Sequence, residues 1–221
     1  MEKRLLQIGV LASGSGSNLQ AIIDDIESGN LPAKIAVLIV NKSQAGAVER
    51  ARKHGIPSLI ISHKNFSRRE DFDAALVKAL QEHGVELVVL AGFMRVLSPV
   101  FFAAFPQRVM NIHPALLPAF PGVDAQEQAF NYGVRFAGCT VHFVDEGVDT
   151  GPIIIQAVVE VQPDDTRDSL AKKILAQEHR IYPQAIKLYA AGRLEIKGRK
   201  VIIRDCQTPA IGCTNPSCEE G

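Results

Sequence analysis

The sequence predicts an α/β fold, an open, mostly parallel, twisted sheet with helices on both faces. Apolar runs of strand length alternate along the chain with amphipathic segments of helix length, the order expected when helices connect parallel strands. The early runs are almost continuously apolar, as in strands whose two faces are both covered. Two late apolar runs flank an acidic loop, which predicts an antiparallel addition toward the C-terminus.

Seven segments are predicted as strands, at residues 7–12, 34–40, 58–61, 87–91, 109–112, 138–144 and 153–161. Helices are predicted at residues 18–28, 47–54, 99–105, 124–132 and 167–190, and in one more segment that runs to Gly84. For that segment, Ser67 and Glu70 have the spacing of a capping box ahead of Leu76 and Leu80. Pro183 predicts a bend in the last helix.

Length and composition indicate one domain with a short appendage. The chain has 221 residues, of which 47% are hydrophobic, enough for a substantial core. Lys and Arg number 24 and Asp and Glu number 24, a balance that favours neither nucleic acid nor an anionic membrane as partner. No apolar run is long enough to span a bilayer. We expect one domain at residues 1–204 and a loosely ordered tail at 205–221.

The cysteines and the N-terminus both indicate a cytoplasmic protein. Cys206, Cys213 and Cys218 crowd the tail at spacings that match no zinc pattern, so reduced thiols are expected, with a metal site in the tail as a minor alternative. The first apolar run is short, is interrupted by Gln7 and ends in a glycine-rich turn. That pattern favours a first strand over a signal peptide.

A glycine-rich loop, SGSGSN at residues 13–18, directly follows the first strand. Glycines allow the sharp turn that aims backbone N–H groups at an anion before a helix. Leu19 stands where a dinucleotide fingerprint needs glycine, and a Walker lysine is absent. The loop therefore predicts either a monophosphate site or an ordinary tight turn, and the motif alone does not decide between them.

Asn111 and His113 lie two residues apart at the end of the predicted fifth strand, so their side chains share one face. Open α/β sheets bind ligands at the carboxyl ends of their strands. An amide can donate to a developing oxyanion, and an imidazole can exchange a proton near neutral pH. Prolines at 114, 118 and 121 constrain the loop that follows. The pair predicts a catalytic site, against the alternative of a histidine satisfied within a turn.

Three further segments carry candidate groups with structural alternatives. The 144–152 loop contains Asp149 and could be a plain acidic hairpin loop; nearby His142 is interpreted as structural, and no ligand spacing supports a metal. Glu178 falls within the apolar stripe of the last helix, where a carboxylate must pair, reach solvent or face a ligand. Residues 91–97 follow a buried strand and by themselves favour a simple turn.

These segments together resemble the phosphoribosylglycinamide formyltransferase family. The similar stretches are VLASGSGSNLQAII, NKSQAGAVERA, VVLAGFMRVLSP, NIHPALLPAFPG, GCTVHFVDEGVDTGPIIIQ and QEHRIYP. They occur in order from about Ile8 to Ile202. The resemblance implies a Rossmann-like formyltransferase fold and an enzyme of purine biosynthesis that moves a formyl group from 10-formyltetrahydrofolate to the amino group of phosphoribosylglycinamide.

The resemblance also implies roles for particular residues and requires no metal. The catalytic group would be Asn111, His113 and Asp149, with His113 acting as an imidazolium held by Asp149. The residues that would bind the phosphoribosyl substrate are Gly16, Ser17, Asn18, Lys173 and Glu178. The residues that would bind the folate are Arg69, Met94, Arg95, Val96, Leu97, Asn111, Asp145, Glu146, Gly147 and Val148. Lys173 occupies a place where an arginine is expected in some relatives, and lysine lacks the planar fork of arginine.

Three other functions compete with this one. A formyltransferase acting on methionyl-tRNA is expected to carry an additional C-terminal domain and a basic surface. A formyltetrahydrofolate hydrolase shares the Asn/His/Asp group but is expected to have an extra N-terminal domain. A non-catalytic nucleotide-binding module would not bring Asn111, His113 and Asp149 together. The sequence leaves a monomer and a homodimer equally open.

Overall fold

The structure is a computed structural model, and it describes residues 4–205. The strands are β1 (Leu6–Ala12), β2 (Ala33–Val40), β3 (Ser58–Ile60), β4 (Leu87–Leu90), β5 (Val109–His113), β6 (Phe136–Phe143), β7 (Ile153–Glu160), β8 (Leu194–Lys197) and β9 (Lys200–Ile203). The helices are α1 (Ser17–Glu27), α2 (Gly46–Lys53), α3 (Arg69–Glu82), α4 (Pro99–Ala104), α5 (Ala125–Tyr132) and α6 (Arg167–Ala190), with a 3₁₀ turn at His63–Asn65.

The described chain divides into two compact units. The first contains the residues up to Asn111 together with Val144–Glu146, and the second contains Ile112–Phe143 and the residues from Gly147 onward. The boundary falls inside β5. The single domain predicted for residues 1–204 stays a prediction, and the predicted tail lies, from residue 206, outside the described residues.

In the first unit the strands follow the order β3-β2-β1-β4-β5, and every neighbouring pair is parallel. β1 and β4 are buried along nearly their whole length, as continuous apolar runs predict. Side chains from α3, α4 and the strands form one apolar core that includes Leu11, Leu76 and Phe101. This arrangement places the ends of β1, β4 and β5 side by side at one edge, with Leu90 in register with Asn111.

In the second unit β6 pairs antiparallel with β7, β7 pairs parallel with β9, and β9 pairs antiparallel with β8. The α6 helix packs on β6 and β7. Its predicted apolar stripe is buried, at Leu170, Ile174, Ile181, Ala185 and Leu188. The helix continues through Pro183. The predicted α/β class, the mostly parallel pairing and the late antiparallel pair are confirmed.

Two local predictions are corrected. The α3 helix has Arg68 at its N-cap, with no side-chain capping bond, so the predicted capping box of Ser67 and Glu70 does not form. The helix begins one residue later than the box requires, which leaves Glu70 in the first turn near the helix dipole. The short β8–β9 hairpin, which turns at Gly198 with a positive φ, was not predicted. Within residues 4–205, no helix combines the length and apolar character that crossing a membrane requires.

Candidate active site

The loop after β5 is held by hydrogen bonds to the residues between Pro114 and Pro118. The hydroxyl of Thr140 donates to the carbonyl of Ala115 over 2.7 Å and accepts from the amide of Leu117 over 3.1 Å. The side-chain Nε2 of Gln156 donates to the carbonyl of Leu117 over 3.0 Å. Thr140 and Gln156 stand opposite each other in the β6–β7 pair. The antiparallel β6–β7 pair therefore anchors the loop that follows His113.

His113 and Asp149 come together in the second unit. His113 is 4% exposed, and its Nε2 lies 2.8 Å from the carbonyl oxygen of Phe120, to which it donates. Its Nδ1 lies 3.3 Å from Oδ2 of Asp149. The same Oδ2 accepts the amide of Gly122 over 2.8 Å, so the proline loop binds both members of the pair. Asp149 has a positive φ of 55°, a strained conformation of the kind found at functional sites.

His142 lies beside this pair. It is 1% exposed on β6, and its Nε2 lies 3.6 Å from Oδ1 of Asp149. Its Nδ1 lies 2.8 Å from the carbonyl of Phe143 and donates to it. The sequence interpreted His142 as structural because it sits within an apolar strand. The sequence carried one signal of this proximity, since His142 lies seven residues before Asp149, across the hairpin loop.

Burial and hydrogen bonding set the charges of this cluster. Burial works to raise the pKa of Asp149, but the neighbouring His142 ring, the amide of Gly122 and the nearby His113 ring outweigh it and lower that pKa from its ordinary value. Burial lowers the pKa of His113 below 6.5, and the Phe120 carbonyl and the Asp149 charge oppose this only in part. In the resting protein near pH 7, Asp149 is therefore ionised and His113 is largely neutral. The imidazolium that the family resemblance implies during the reaction would therefore form when His113 takes up a proton.

The depressed pKa of His113 predicts how stability changes with pH. Between its folded pKa and 6.5 the unfolded chain binds the proton more readily, so the free energy of unfolding should decrease as pH falls through 6.5. We expect His113→Gln to lose less stability than the wild type between about pH 7.5 and about pH 5.5. Urea unfolding of both proteins at both pH values measures this. Equal losses in the two proteins would contradict the buried, neutral ring.

In the first unit the glycine-rich loop opens α1 as predicted. Gly16 is the N-cap residue, with a φ of 74°, and Ser17 is the first residue of the helix. A Cβ at Gly16 would lie 2.7 Å from Cα of Ala47, so the loop packs directly against α2. The carbonyl of Ser15 accepts from Nε of Arg50 over 2.9 Å. The first turn of α1 contains no acidic residue, so its amides present a positive end suited to an anion.

The segment after β4 lies beside this loop. The amide of Met94 donates to Oγ of Ser13 over 3.1 Å, and the amide of Ser13 donates to the carbonyl of Gly92 over 3.1 Å. Met94 is 66% exposed and Val96 is 49% exposed, while Leu97 is buried. Two large apolar side chains are therefore exposed near the loop, which makes them candidates for contact with a ligand or partner.

The remaining candidates belong to one unit or the other. Arg69, Arg95, Asp145 and Glu146 lie in the first unit, where Arg69 and Arg95 are exposed. Gly147 and Val148 lie in the second unit and precede Asp149 directly. Among residues 4–205, no three His, Cys, Asp or Glu side chains are arranged to hold a metal ion.

Two candidates on α6 have different surroundings. Glu178 is 6% exposed, inside the apolar stripe. Burial, with the Glu178 charge as a second cause, raises the pKa of the Cys139 thiol to about 12, which indicates that this carboxylate is near β6. Lys173 instead donates to Oδ2 of Asp165 over 2.6 Å, and this bond, with one from Ser169, lowers the pKa of Asp165 to about 2.

The chain belongs to the formyl transferase family, which matches residues 6–186. This confirms the family-level resemblance and the enzyme class that the sequence predicts. A phosphoribosylglycinamide formyltransferase from Bacillus subtilis (strain 168) is 44% identical over 82% of this chain and 93% of its own length. A crystal structure of glycinamide ribonucleotide transformylase 1 from Symbiobacterium toebii is 53% identical, with a TM-score of 0.89 over 91% of this chain and 95% of that chain.

Other relatives are longer than this chain. It is 47% identical to the trifunctional purine biosynthetic protein adenosine-3 of Drosophila melanogaster over 87% of its own length, but it spans 14% of that protein. A crystal structure of a formyltetrahydrofolate deformylase from Pseudomonas syringae pv. tomato is 26% identical, with a TM-score of 0.84 over 90% of this chain and 66% of that chain. The fold is thus shared between formyltransferases and a deformylase, while sequence identity is higher to the formyltransferases.

Proposed function

We propose that this chain transfers the formyl group of 10-formyltetrahydrofolate to the amino group of phosphoribosylglycinamide, a step of purine biosynthesis. The observation that carries the proposal is the His113–Asp149 pair held by the proline loop at the end of β5. Family membership supports formyl transfer, and the names of the more similar relatives favour this acceptor.

The reaction requires a stabilised oxyanion and a route for one proton. The acceptor amine attacks the formyl carbon, a C–N bond forms, and the carbonyl oxygen becomes negative. Asn111, two residues before His113 on the same strand, is proposed to donate to that oxygen. As the intermediate collapses, the bond to N10 of the folate breaks. The proton lost by the amine must reach N10.

The measured geometry suits His113 and Asp149 to this proton transfer. A largely neutral His113 can take up one proton, and its two ring nitrogens then face two acceptors, the Phe120 carbonyl and Asp149. The ionised Asp149 stabilises the imidazolium that forms. The charge of the ring then stabilises the oxyanion, and water can relay the proton from the ring to N10, since both ring nitrogens face an acceptor.

The other site residues are proposed to hold the two substrates. Gly16, Ser17 and Asn18 would bind the acceptor phosphate at the start of α1, and Glu178 would accept from the ribose hydroxyls. Lys173 is paired with Asp165, and a phosphate contact would use a second of its three N–H donors.

The folate is proposed to contact both exposed apolar and charged residues. Met94, Val96 and Val148 expose apolar surface that suits a flat aromatic ring system, and Arg69 offers a cation for a carboxylate tail. Arg95, Leu97, Asp145, Glu146 and Gly147 complete the set inferred from the family resemblance. A cytoplasmic location and the choice between monomer and homodimer stay predictions.

Hydrolysis of formyl-folate without an acceptor is the second candidate, favoured by the likeness to the deformylase. An absorbance assay of deformylated folate, run with and without phosphoribosylglycinamide, separates the two. The proposal expects deformylation only when the acceptor is present. Equal rates in both mixtures would favour the hydrolase, and no deformylation in either would contradict both functions.

The proposed ribose contact gives a prediction for Glu178. We expect Glu178→Gln to raise the acceptor KM by about tenfold or more, since a hydrogen bond to a charged group contributes about 1.5–3 kcal/mol, and to leave the folate KM nearly unchanged. Asp168→Asn, an exposed site on the same helix, is the matched control. Steady-state kinetics with each substrate varied in turn measures the split. A larger increase in the folate KM than in the acceptor KM would contradict a role for Glu178 in acceptor binding.

A further inference from the structure

A fully buried carboxylate on α3 holds the segment that follows β4. Asp73 is 0% exposed, and its Oδ2 accepts the backbone amide of Ser98 over 2.5 Å. Ser98 is also 0% exposed and is the N-cap residue of α4. The N-cap makes no side-chain capping bond of its own, and Pro99 follows it at the first helical position.

The surroundings of this bond are apolar. Phe72, Leu76, Phe93, Leu97 and Phe101 all belong to the core of the first unit. Burial raises the pKa of Asp73, so keeping a carboxyl group here has a cost in solvation. An apolar side chain of similar size would avoid that cost but would leave the buried amide of Ser98 without this acceptor. The carboxyl group therefore calls for an explanation other than core packing.

The bond joins two elements that the proposed function assigns to the folate. Arg69 lies one helical turn before Asp73 on α3, and Leu97 immediately precedes Ser98. Phe93 and Leu97 are anchored in the core, and Met94, Arg95 and Val96 between them are exposed. The amide of Met94 is held by Ser13, and the amide of Ser98 by Asp73. Both ends of the exposed arch are thus hydrogen-bonded to neighbouring elements of the first unit.

We propose that Asp73 is a positioning residue for the folate donor, which fixes the arch of residues 94–96 relative to Arg69 by holding the amide of Ser98. This inference rests on the proposed function. Asp73 acts through the backbone and contacts neither substrate. Its loss should therefore weaken donor binding selectively, whereas a residue needed only for folding would affect both substrates or stability alone.

The test compares Asp73→Leu, Asp73→Asn and Asp71→Asn. Leucine matches the shape of aspartate but accepts no hydrogen bond. Asparagine keeps an acceptor for the Ser98 amide. Asp71 is exposed two residues earlier on the same helix and serves as the control. Donor Kd by calorimetry with 10-formyltetrahydrofolate, and KM for each substrate, are measured after thermal melting confirms that each variant is folded.

Asp73→Leu is expected to raise the donor Kd and KM by about tenfold or more, as loss of a buried hydrogen bond implies, and to change the acceptor KM by less than about twofold. Asp73→Asn should restore donor binding to within about threefold of the wild type, and Asp71→Asn should match the wild type. A folded Asp73→Leu protein with wild-type donor binding, or with equal losses for both substrates, would overturn the proposal.

Amide hydrogen exchange tests the proposal without relying on the leucine variant. In the wild type, saturating donor should slow exchange in a peptide covering residues 94–98, and the acceptor alone should not. If the donor binds but the exchange rate of this peptide does not change, the positioning role is overturned. If the donor does not bind the wild type at all, the proposed function fails. Faster exchange of this peptide in Asp73→Leu than in Asp73→Asn would then still show that Asp73 holds the arch, and equal exchange would refute it.

Discussion

Replacing His113 with alanine, or Asp149 with asparagine, is expected to lower kcat by about 10²–10⁴, the usual range for a positioned acid–base or oxyanion-stabilising group. The two side chains lie 3.3 Å apart and share the proline loop as a hydrogen-bonding partner. Asparagine at 149 cannot carry the charge that stabilises an imidazolium at 113. The wild-type rate should also fall at low pH, first as His113 is protonated and then as Asp149 becomes neutral.

The double variant distinguishes a working pair from two independent groups. If His113 and Asp149 act as one unit, the double variant should be little slower than the slower single variant. His83→Ala is a suitable control, because that ring bonds the carbonyl of Ala79 at the end of α3 and no other group within residues 4–205. Steady-state kcat, with folding checked by thermal melting, gives the comparison. Single variants with near wild-type kcat would remove the pair from the mechanism, and fully multiplicative losses would refute joint action.

Replacing Gly16 with valine is expected to raise the acceptor KM by about tenfold or more and to affect the folate KM far less. The φ of 74° is costly for a β-branched residue, and a Cβ would lie 2.7 Å and 2.8 Å from Cα and Cβ of Ala47. The loop must shift, and this would move the amides of Ser17 and Asn18 away from the proposed phosphate site.

Gly14 provides the matched control for this change. A Cβ there would meet nothing within 4 Å, so Gly14→Ala should leave both KM values close to those of the wild type. Kinetics with each substrate varied at saturating levels of the other measures the difference. Equal increases in the two KM values for Gly16→Val would show that the loop supports the whole fold rather than the phosphate site.

The fold was largely predictable because apolar runs of strand length alternate with amphipathic segments of helix length. The runs that became β1, β2 and β4 are distinguishable by pattern alone, and the antiparallel pairing of β6 and β7 follows from the short loop between them. The β8–β9 hairpin was missed because its strands are four residues each and only half buried, which leaves little apolar signal. The capping box failed because two residues at the right spacing do not fix where a helix begins.

The candidate active site was predictable only in part. Strand periodicity puts Asn111 and His113 on one face, but Asp149 entered through the family resemblance, since no local pattern links residues 36 positions apart. Thr140 and Gln156, which hold the loop, contact it from 23 and 39 residues away in sequence. The neutral state of His113 depends on burial, which is a property of the folded chain.

The most direct test of formyl transfer follows the carbon itself. The protein is mixed with a donor that carries a ¹³C-formyl group and with phosphoribosylglycinamide, and the products are analysed by mass spectrometry. The proposed function predicts that the label appears on the amino group of the acceptor, in the wild type and in the His83→Ala control, and that it accumulates far more slowly in Asp149→Asn. Label recovered as formate, with none on the acceptor, would contradict formyl transfer.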